Sequence, residues 1–317
     1  AVMEVSSQGI KMHRTDGLYF NYAIFTNISP DHIGPGEHAD FEEYLYYKTR
    51  LLNMCGIGLV NKDDKHAPQI IKAANCELYT YSEESKEADF VASDIRYVSQ
   101  PDFVGTEFHI SGKYDMEVRL GIPGLFNVVN ALAAVSVCSF LGLDQARISH
   151  ALENIRVNGR MEIVYTSERC TVLVDYAHNA VSMESLLSTL RDYKPKRLVC
   201  VFGCGGNRSK DRRYSMGEIG GKMADLSIIT ADNSRYEKVE DIIADIRGSI
   251  EKTGGKFIEI PDRREAIRYS ILHAQPGDMV AVIGKGHEDY QEINGVRHHF
   301  LDREVIEETV KELGEKA

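Results

Sequence analysis

The chain has 317 residues, 43% of them hydrophobic, a length that allows a sizeable core and is more typical of two domains than of one. Its formal net charge of -11 argues against nucleic acid as a general partner, and no run approaches the roughly 20 apolar residues of a membrane-spanning helix. The six cysteines are irregularly spaced, as expected for reduced thiols in a cytoplasmic protein.

The first part of the chain, to about residue 158, is predicted to form a mixed α/β domain. It opens on AVMEVSS, which has a strand-like pattern at 1–5 and no initiator methionine, so we expect a piece of a longer polypeptide. The pattern predicts further strands at 22–26 and 57–61, helices at about 40–53 and 126–141, and alternating runs at 89–98, 103–110 and 116–120. These three runs are typical of antiparallel strands at the margin of a mixed sheet.

Two positions in this part are candidates for binding. Asn127 and Asn130 lie one turn apart at the start of a small-residue helix, where they can either cap the helix or contact a ligand. Lys48 falls near the middle of an apolar helical stripe, with Asp40 as the N-cap, and the stripe consists of Phe41, Tyr44, Leu45, Leu51 and Leu52.

The pattern alone favours a Lys48 ammonium that extends to water along the apolar stripe. In apolar surroundings, however, a lysine loses part of its preference for the charged form. A neutral amine can react with carbon dioxide, and the resulting carbamate is an anionic oxygen ligand that suits magnesium.

The second part of the chain alternates regularly between strand and helix patterns. Strands are predicted at 161–165, 172–174, 198–202, 226–230, 257–260 and 279–283, with helices at 182–193, at about 239–252, from residue 263 and at the end of the chain. A hairpin is predicted around Asn294 and Gly295. This alternation predicts a doubly wound, Rossmann-like parallel sheet.

Polar and glycine-rich segments follow four of these strands. They are Asp175 with His178, Gly205 with Arg208, residues 232–235, and residues 284–288. The carboxyl ends of parallel strands meet at one edge of the sheet, so we expect these segments to converge. Guanidinium and carboxylate groups together suit a small zwitterion such as an amino acid, and a network of structural ion pairs is the alternative. The glycine turn GCGG does not match the dinucleotide-binding GxGxxG pattern.

Eight ordered motifs resemble the Mur ligase family, most closely its UDP-N-acetylmuramoyl-tripeptide synthetase branch, and they span essentially the whole chain. They are EVSSQGIKMHR, FTNISPDHIG, YYKTRLL, GRMEIV, VDYAHN, VFGCGGNRSKDRR, DNSR and GKGHEDYQ. The resemblance implies a central ATP-binding domain at 1–158, truncated at its start, and a C-terminal amino-acid-binding domain at 159–317. It also implies an ATP-dependent, ADP-forming amide ligase that adds the third amino acid to UDP-N-acetylmuramoyl-L-Ala-D-Glu through an acyl phosphate, in peptidoglycan synthesis.

The resemblance also implies residue roles, with ATP and Mg²⁺ as cofactors and a monomeric, cytoplasmic enzyme. Metal-binding and catalytic roles fall to Glu4, His32 and carbamylated Lys48, and contacts with the UDP-muramoyl peptide to Ser6 and Arg14. The nucleotide side comprises Asn127, Asn130, Arg160, Asp175 and His178. The pocket for the incoming amino acid comprises Arg208, Asp232, Asn233, Arg235, Gly284 and Glu288.

Three features depart from the family pattern. The chain contains no GxxGK[ST] phosphate loop, so we expect this loop upstream of Ala1 and no ATP hydrolysis by this polypeptide alone. The spacing from His32 to Lys48 is lengthened by an insert-like GPGEHADF, which bears on the position of His32. Ser234 stands where ligases that use meso-diaminopimelate have proline in DNPR.

Arg235 favours meso-diaminopimelate over lysine as the incoming amino acid. A guanidinium can bind a distal carboxylate through two hydrogen bonds, whereas it repels an ammonium. Folylpolyglutamate and cyanophycin synthetases share the architecture, but the GKGHE and DNSR motifs count against them. A noncatalytic, truncated binding module is the alternative from another functional class.

Overall fold

The computed structural model describes residues 1–30 and 32–314 and has two compact units. The first unit comprises Ala1–Arg96, Glu107–Arg119 and Phe126–Leu152. The second comprises Tyr97–Thr106, Leu120–Leu125 and the chain from Glu153 onward. In the described part of the chain, the helices are all too short or too polar to cross a membrane.

The amino-terminal sheet has six strands in sequential order. They are β1 (Phe20–Phe25), β2 (Cys55–Asn61), β3 (Glu77–Ser82), β4 (Phe90–Gln100), β5 (Phe103–Gly112) and β6 (Met116–Leu120). The first four strands pair in parallel, with Ile57 of β2 opposite Tyr22 on one side and Glu77 on the other. The helices are α1 (Ser7–Lys11), α2 (Phe41–Arg50), α3 (Ala67–Ala73), α4 (Leu125–Phe140) and α5 (Gln145–Glu153).

Helix α2 forms for reasons that are visible in its sequence. The carboxylate of Asp40 accepts a hydrogen bond from the backbone N–H of Glu43, which satisfies one of the unpaired donors of the first turn. The apolar stripe then buries Tyr44 and Leu45 in a core that includes Phe25 and Val60. A 3₁₀ turn, Leu51–Asn53, continues the helix.

The predicted strand at residues 1–5 is wrong. Residues 1–4 are exposed and belong to no helix or strand, and the chain passes directly into α1 through Ser6. The side chain of Ser6 accepts a hydrogen bond from the N–H of Gly9 and so caps this short helix. The alternating apolar pattern of AVMEV therefore has no sheet partner among the described residues.

The carboxyl-terminal sheet also has six strands, in the order β11-β10-β9-β12-β8-β7. They are β7 (Glu162–Thr166), β8 (Cys170–Asp175), β9 (Arg197–Phe202), β10 (Leu226–Ile229), β11 (Phe257–Glu259) and β12 (Asp278–Ile283). Five strands are parallel as predicted, but the edge strand β7 runs antiparallel to β8. An antiparallel edge strand is common on otherwise parallel sheets.

Helices cover both faces of this sheet. They are α6 (Ala180–Asp192), α7 (Asp211–Met223), α8 (Val239–Thr253), α9 (Arg263–Leu272) and α10 (Asp302–Glu312). Val199 and Val201 of β9 belong to a core that also contains residues of α9 and α10. The alternate residue Phe202 lies against Gly220 of α7, on the opposite face. The predicted hairpin is present as β13 (Tyr290–Ile293) and β14 (Val296–His299).

A buried ion pair joins two strand ends to the last helix. The guanidinium of Arg263 makes two hydrogen bonds of 2.7 Å with the carboxylate of Asp302, and both side chains are fully buried. It also donates to the carbonyl oxygens of Ala231, at 3.2 Å, and Ile283, at 3.0 Å. Burial opposes the charge, but Asp302 raises the pKa of Arg263 above its ordinary value. The pair therefore fixes the chain just before Asp232 and Gly284.

We expect the substitution Arg263→Met to reduce the free energy of unfolding by about 3–5 kcal/mol, because it leaves the buried Asp302 carboxylate without its partner. Arg264→Met is the matched control. The side chain of Arg264, next in the chain, is exposed and pairs with Glu308 at the surface, so the free energy of unfolding should fall by no more than about 0.5 kcal/mol. Urea unfolding measures both. Equal losses in the two variants would contradict the assigned role of the buried pair.

Candidate amino-acid site

Four strand ends of the second unit surround one cavity of about 410 Å³. The cavity is lined by Tyr176, His178, Gly203, Cys204, Gly205, Arg208, Arg212, Asp232, Asn233, Arg235, Gly284, Glu288 and Tyr290. The predicted convergence of the segments after β8, β9, β10 and β12 is therefore observed. A cavity of this size suits a small ligand.

Two glycines allow the segments to approach each other. A side chain at Gly206 would collide with the carbonyl oxygen of Ser234, so the turn after β9 can only lie against the 232–235 segment without one. Gly284 has a φ angle of +112°, which L-residues with side chains rarely adopt, and a Cβ there would lie 2.8 Å from the Asp232 carboxylate.

Arg235 is held in a defined position by backbone and side-chain contacts. Its φ angle of +51° is left-handed, and its N–H donates to the carbonyl of Glu292 at 2.9 Å. Its own carbonyl accepts from the N–H of Asn294 at 2.6 Å. The guanidinium Nη1 donates to the Gly206 carbonyl at 2.7 Å, and Nε lies 3.5 Å from the Glu292 carboxylate. The β13–β14 hairpin thus supports this arginine.

Three donors surround the carboxylate of Glu288. They are the amide of Asn233 at 3.0 Å, the ammonium of Lys285 at 3.3 Å and the hydroxyl of Tyr176 at 3.4 Å. Burial and the nearby Glu288 charge together raise the pKa of Tyr176, so its hydroxyl remains a donor at neutral pH. The cavity is thus lined both by this carboxylate, which is held by three donors, and by the guanidinium groups of Arg208, Arg212 and Arg235.

Sequence reasoning missed Lys285. Its side chain is fully buried and its ammonium contacts Glu288, the Asn233 amide oxygen and the carbonyl of Tyr290. A lysine between two glycines directly after a buried strand was the available signal, because buried lysines require partners.

Sequence reasoning also missed the role of Arg213. This fully buried side chain donates to Glu237 at 2.8 Å and to Asp245 at 2.9 Å. Its hydrogen bond, together with one from the N–H of Asn207, lowers the pKa of Glu237. The basic turn at 207–213 is thereby attached to the segment that follows Arg235.

The residues predicted for the nucleotide side lie partly together. The buried Asp175 carboxylate accepts from the N–H groups of Met161 and Ala177, and although these bonds favour its charged form, burial raises its pKa. Arg160 lies 5.0 Å from the centre of the Tyr176 ring. His178 contacts the same ring at 4.8 Å and shares a hydrogen bond of 2.9 Å with the Tyr176 carbonyl.

Asn127 and Asn130 belong to the first unit. Helix α4 begins at Leu125, so both residues lie inside the helix and neither occupies its N-cap position. Asn127 is buried and Asn130 is exposed.

His32 and Lys48 approach the same aromatic ring. The His32 ring lies 5.9 Å from that of Tyr44, and the half-buried Lys48 has its Nζ 5.7 Å from the same ring centre. Glu4 is exposed, as is Arg14, whose Nη2 contacts the sulfur of Met12. Within residues 1–30 and 32–314, His, Cys, Asp and Glu side chains do not form a cluster of three that could hold a metal ion.

The insert-like segment before α2 contributes a buried histidine that the sequence analysis did not select. His38 is fully buried and its Nε2 shares a hydrogen bond of 2.9 Å with Ser7 of α1. Its Nδ1 lies 3.7 Å from Glu43, which accepts a hydrogen bond of 2.9 Å from Lys11. Burial, followed by the Lys11 charge, lowers the pKa of His38.

Two protein-family models match this chain, one in its first half and one in its second half. The model of the Mur ligase middle domain matches residues 1–138, and the model of the Mur ligase glutamate ligase domain matches residues 159–286. The chain belongs to the Mur ligase family. Both matches together cover the amino-terminal mixed sheet and the sheet that carries the charged cavity.

Individual Mur ligases are similar over almost the whole chain. The UDP-N-acetylmuramoyl-L-alanyl-D-glutamate–2,6-diaminopimelate ligase of Caldanaerobacter subterraneus subsp. tengcongensis is 38% identical over 98% of this chain and 64% of its own length. A ligase of the same description from Clostridium acetobutylicum is 40% identical over 97% of this chain and 63% of its own length. The chain thus spans less than two thirds of these relatives.

Solved structures give the same picture of the fold. A structure of a UDP-N-acetylmuramoyl-L-alanyl-D-glutamate–2,6-diaminopimelate ligase has a TM-score of 0.78 and 34% identity, covering 99% of this chain and 64% of the other. The folylpolyglutamate synthase of Thermotoga maritima, with a TM-score of 0.61 and 18% identity, covers 83% of this chain and 57% of its own, and shows a shared fold alone.

The lowered pKa of His38 predicts a pH-dependent stability for this Mur ligase chain. Its folded-state pKa lies below the ordinary value of 6.5, so the unfolded state takes up more protons and stability falls as the pH drops through that range. His38→Gln should reduce the stability difference between about pH 7.5 and about pH 5.5, because the imidazole that takes up a proton on unfolding is removed. Urea unfolding at both pH values measures this.

The exposed His298 provides the control, because His298→Gln should leave the parent's pH dependence unchanged. An unchanged pH dependence in His38→Gln would contradict the assignment of His38 as a buried, neutral imidazole.

Proposed function

We propose that this chain supplies the central ATP-binding domain (1–158) and the C-terminal amino-acid-binding domain (159–317) of an ATP-dependent ligase. The ligase adds meso-diaminopimelate to UDP-N-acetylmuramoyl-L-Ala-D-Glu in peptidoglycan synthesis and acts as a cytoplasmic monomer. Relatives that are 38–40% identical carry the corresponding description, which supports the proposal. The 317 residues of this chain contain no phosphate-binding GxxGK[ST] loop.

The observation that carries the proposal is the pair of opposed charges in the cavity. Diaminopimelate has an amino-acid group at each end, so its distal end presents a carboxylate and an ammonium together. Arg235 suits the distal carboxylate, while Glu288 suits an ammonium. Arg208, Asp232, Asn233 and Gly284 complete the acceptor site in this proposal. Lysine lacks the distal carboxylate, so Arg235 has no group to bind and repels the side-chain ammonium.

The reaction class follows from the substrates. The carboxylate of the UDP-linked dipeptide attacks the γ-phosphate of ATP, with ADP leaving, and the amine of the acceptor then displaces phosphate from the acyl phosphate. Ser6 and Arg14 bind the UDP-muramoyl dipeptide in this scheme. The nucleotide is bound by Asn127, Asn130, Arg160, Asp175 and His178. The acceptor site orients the amine for attack.

Residues of the first unit fit a magnesium ion in part. The ring of His32 and the Nζ of Lys48 lie 5.9 Å and 5.7 Å from the centre of the Tyr44 ring, so a nitrogen ligand and a lysine that can carry a carbamate both approach one side chain of α2. Glu4 is the third residue that we assign to the metal. Magnesium supplies neutralisation of the phosphate oxygens when it is bound. A carbamate on Lys48 would supply the anionic oxygen that this hard cation prefers.

A ligase assay tests the proposal. The protein expressed from its complete reading frame should release ADP with the UDP-linked dipeptide and diaminopimelate, and should use lysine poorly. The 317-residue chain alone, assayed in parallel, should release none. If the complete protein releases ADP only with glutamate and a folate, its function is that of a folylpolyglutamate synthetase. If it releases no ADP with any of these acceptors, it is a noncatalytic module.

Arg235→Met should reduce kcat/KM for diaminopimelate by at least about 30-fold, since removing a partner of a buried charged hydrogen bond costs roughly 2–5 kcal/mol. The use of lysine should rise, because the guanidinium that repels its side-chain ammonium is removed. The half-exposed Arg247, on α8, provides the control variant Arg247→Met, which should behave like the parent. Equal losses with both acceptors would remove Arg235 as the selecting residue.

Lys48→Arg should reduce kcat on the order of 100-fold, because arginine keeps the positive charge but forms no carbamate under these conditions. Lys72→Arg, an exposed position on α3, is the control. The KM for the acceptor should remain near that of the parent in both variants. A Lys48→Arg enzyme with parental kcat would rule out the carbamate.

A further inference from the structure

The β13–β14 hairpin contacts the cavity wall through several residues, and Glu292 makes three of these contacts. Its N–H donates to the side-chain oxygen of Asn233 at 2.9 Å, and its carbonyl accepts from the N–H of Arg235 at 2.9 Å. Its carboxylate lies 3.5 Å from Nε of Arg235. Backbone and side chain of a single residue therefore hold two neighbours in the cavity wall.

These contacts explain how Arg235 keeps its unusual backbone conformation. A non-glycine residue with a φ of +51° is strained and persists where its surroundings determine it. The N–H and the carbonyl of Arg235 are both bonded to the hairpin, to Glu292 and to Asn294, so the residue adds to the edge of β13. The backbone of the hairpin fixes the position, and the Glu292 carboxylate is not needed for that.

The carboxylate has a separate electrostatic consequence. Glu292 and Arg235 each keep 23% of their side-chain surface exposed, so water screens the charge pair only in part. An anion bound by the guanidinium is attracted by the positive charge of Arg235 and repelled by the negative charge of Glu292. A cation at the same place is repelled by Arg235 and attracted by Glu292.

We infer that Glu292 is a specificity-determining residue for the acceptor amino acid and acts through Arg235. Its charge weakens the preference for acceptors whose far end carries a carboxylate over acceptors whose far end carries only an ammonium. The inference rests on the proposed function, in which the cavity binds the incoming amino acid. Glu292 itself is a positioning residue, because its backbone holds Arg235 while its carboxylate sets the potential there.

The substitution Glu292→Gln tests this. Glutamine keeps the length of the side chain, an oxygen that can accept from Nε of Arg235, and both backbone contacts, but it removes the negative charge. In the complete protein we expect KM for diaminopimelate to fall about threefold and KM for lysine to rise about threefold, with kcat little changed. The ratio of the two kcat/KM values should therefore rise by about tenfold.

Two further variants separate charge from position. Glu292→Asp retains the charge and should restore a ratio close to that of the parent. Glu308→Gln removes one acidic charge from the exposed surface of α10, where it pairs with Arg264, and should leave the ratio unchanged. Urea unfolding of each variant establishes that it is folded. If Glu292→Gln does not fold, Glu292→Ala takes its place, with the same direction expected for the ratio.

The variant Arg235→Met distinguishes a failure of the Glu292 inference from a failure of the proposed function. If Arg235→Met leaves acceptor use unchanged, the cavity is not the acceptor site and the proposed function of these residues fails. If Arg235→Met abolishes the preference for diaminopimelate but Glu292→Gln leaves the ratio within twofold of the parent, or lowers it, the role of Glu292 is overturned while the proposed function stands.

Discussion

The candidate site depends on the buried ion pair between Arg263 and Asp302. Four hydrogen bonds from one guanidinium connect α9, α10 and the last residues before two cavity segments. A fully buried charge of this kind is tolerated only when nearly all of its donors have partners, and here two of those partners are main-chain carbonyls at strand ends. The directions in which the chain leaves β10 and β12 are therefore set by the core and not by the surface loops.

The sequence predicted the carboxyl-terminal half well because its pattern is simple. After a charged first residue, β9 and β12 are uninterrupted apolar runs, and each is followed by a glycine. Parallel strands bring such ends to one edge of the sheet. The secondary structure of the first half was predicted less well. Residues 1–5 alternate like a strand yet pack against no sheet, and the pattern also missed α3 and β3, which follow a stretch of charged and turn-forming residues. The local pattern of apolar residues does not determine which segment pairs with other strands in a sheet.

The missed residues have a common physical reason. Each of the three missed side chains contacts a residue that is far away in the sequence and comes near only when the chain folds. These contacts are Lys285 with Asn233, Arg213 with Asp245, and Glu292 with Arg235. The sequence identified four of the charged residues that line the cavity, Arg208, Asp232, Arg235 and Glu288, but it did not identify Arg212, which also lines it. It also did not identify the charged side chains that hold these residues in place. A side chain that binds ligand is often recognisable from its motif, but the side chain that orients it is recognisable only from the contact.

Tyr176 occupies a particular place in this arrangement. Arg160 lies over its ring, the His178 ring lies 4.8 Å away at an interplanar angle of 60°, and its hydroxyl donates to Glu288. In the proposed enzyme the first two belong to the nucleotide and the third to the acceptor. A ligand that displaces this ring from one side therefore also changes the contacts on the other side, and any coupling between the two affinities is equal in both directions by thermodynamic reciprocity.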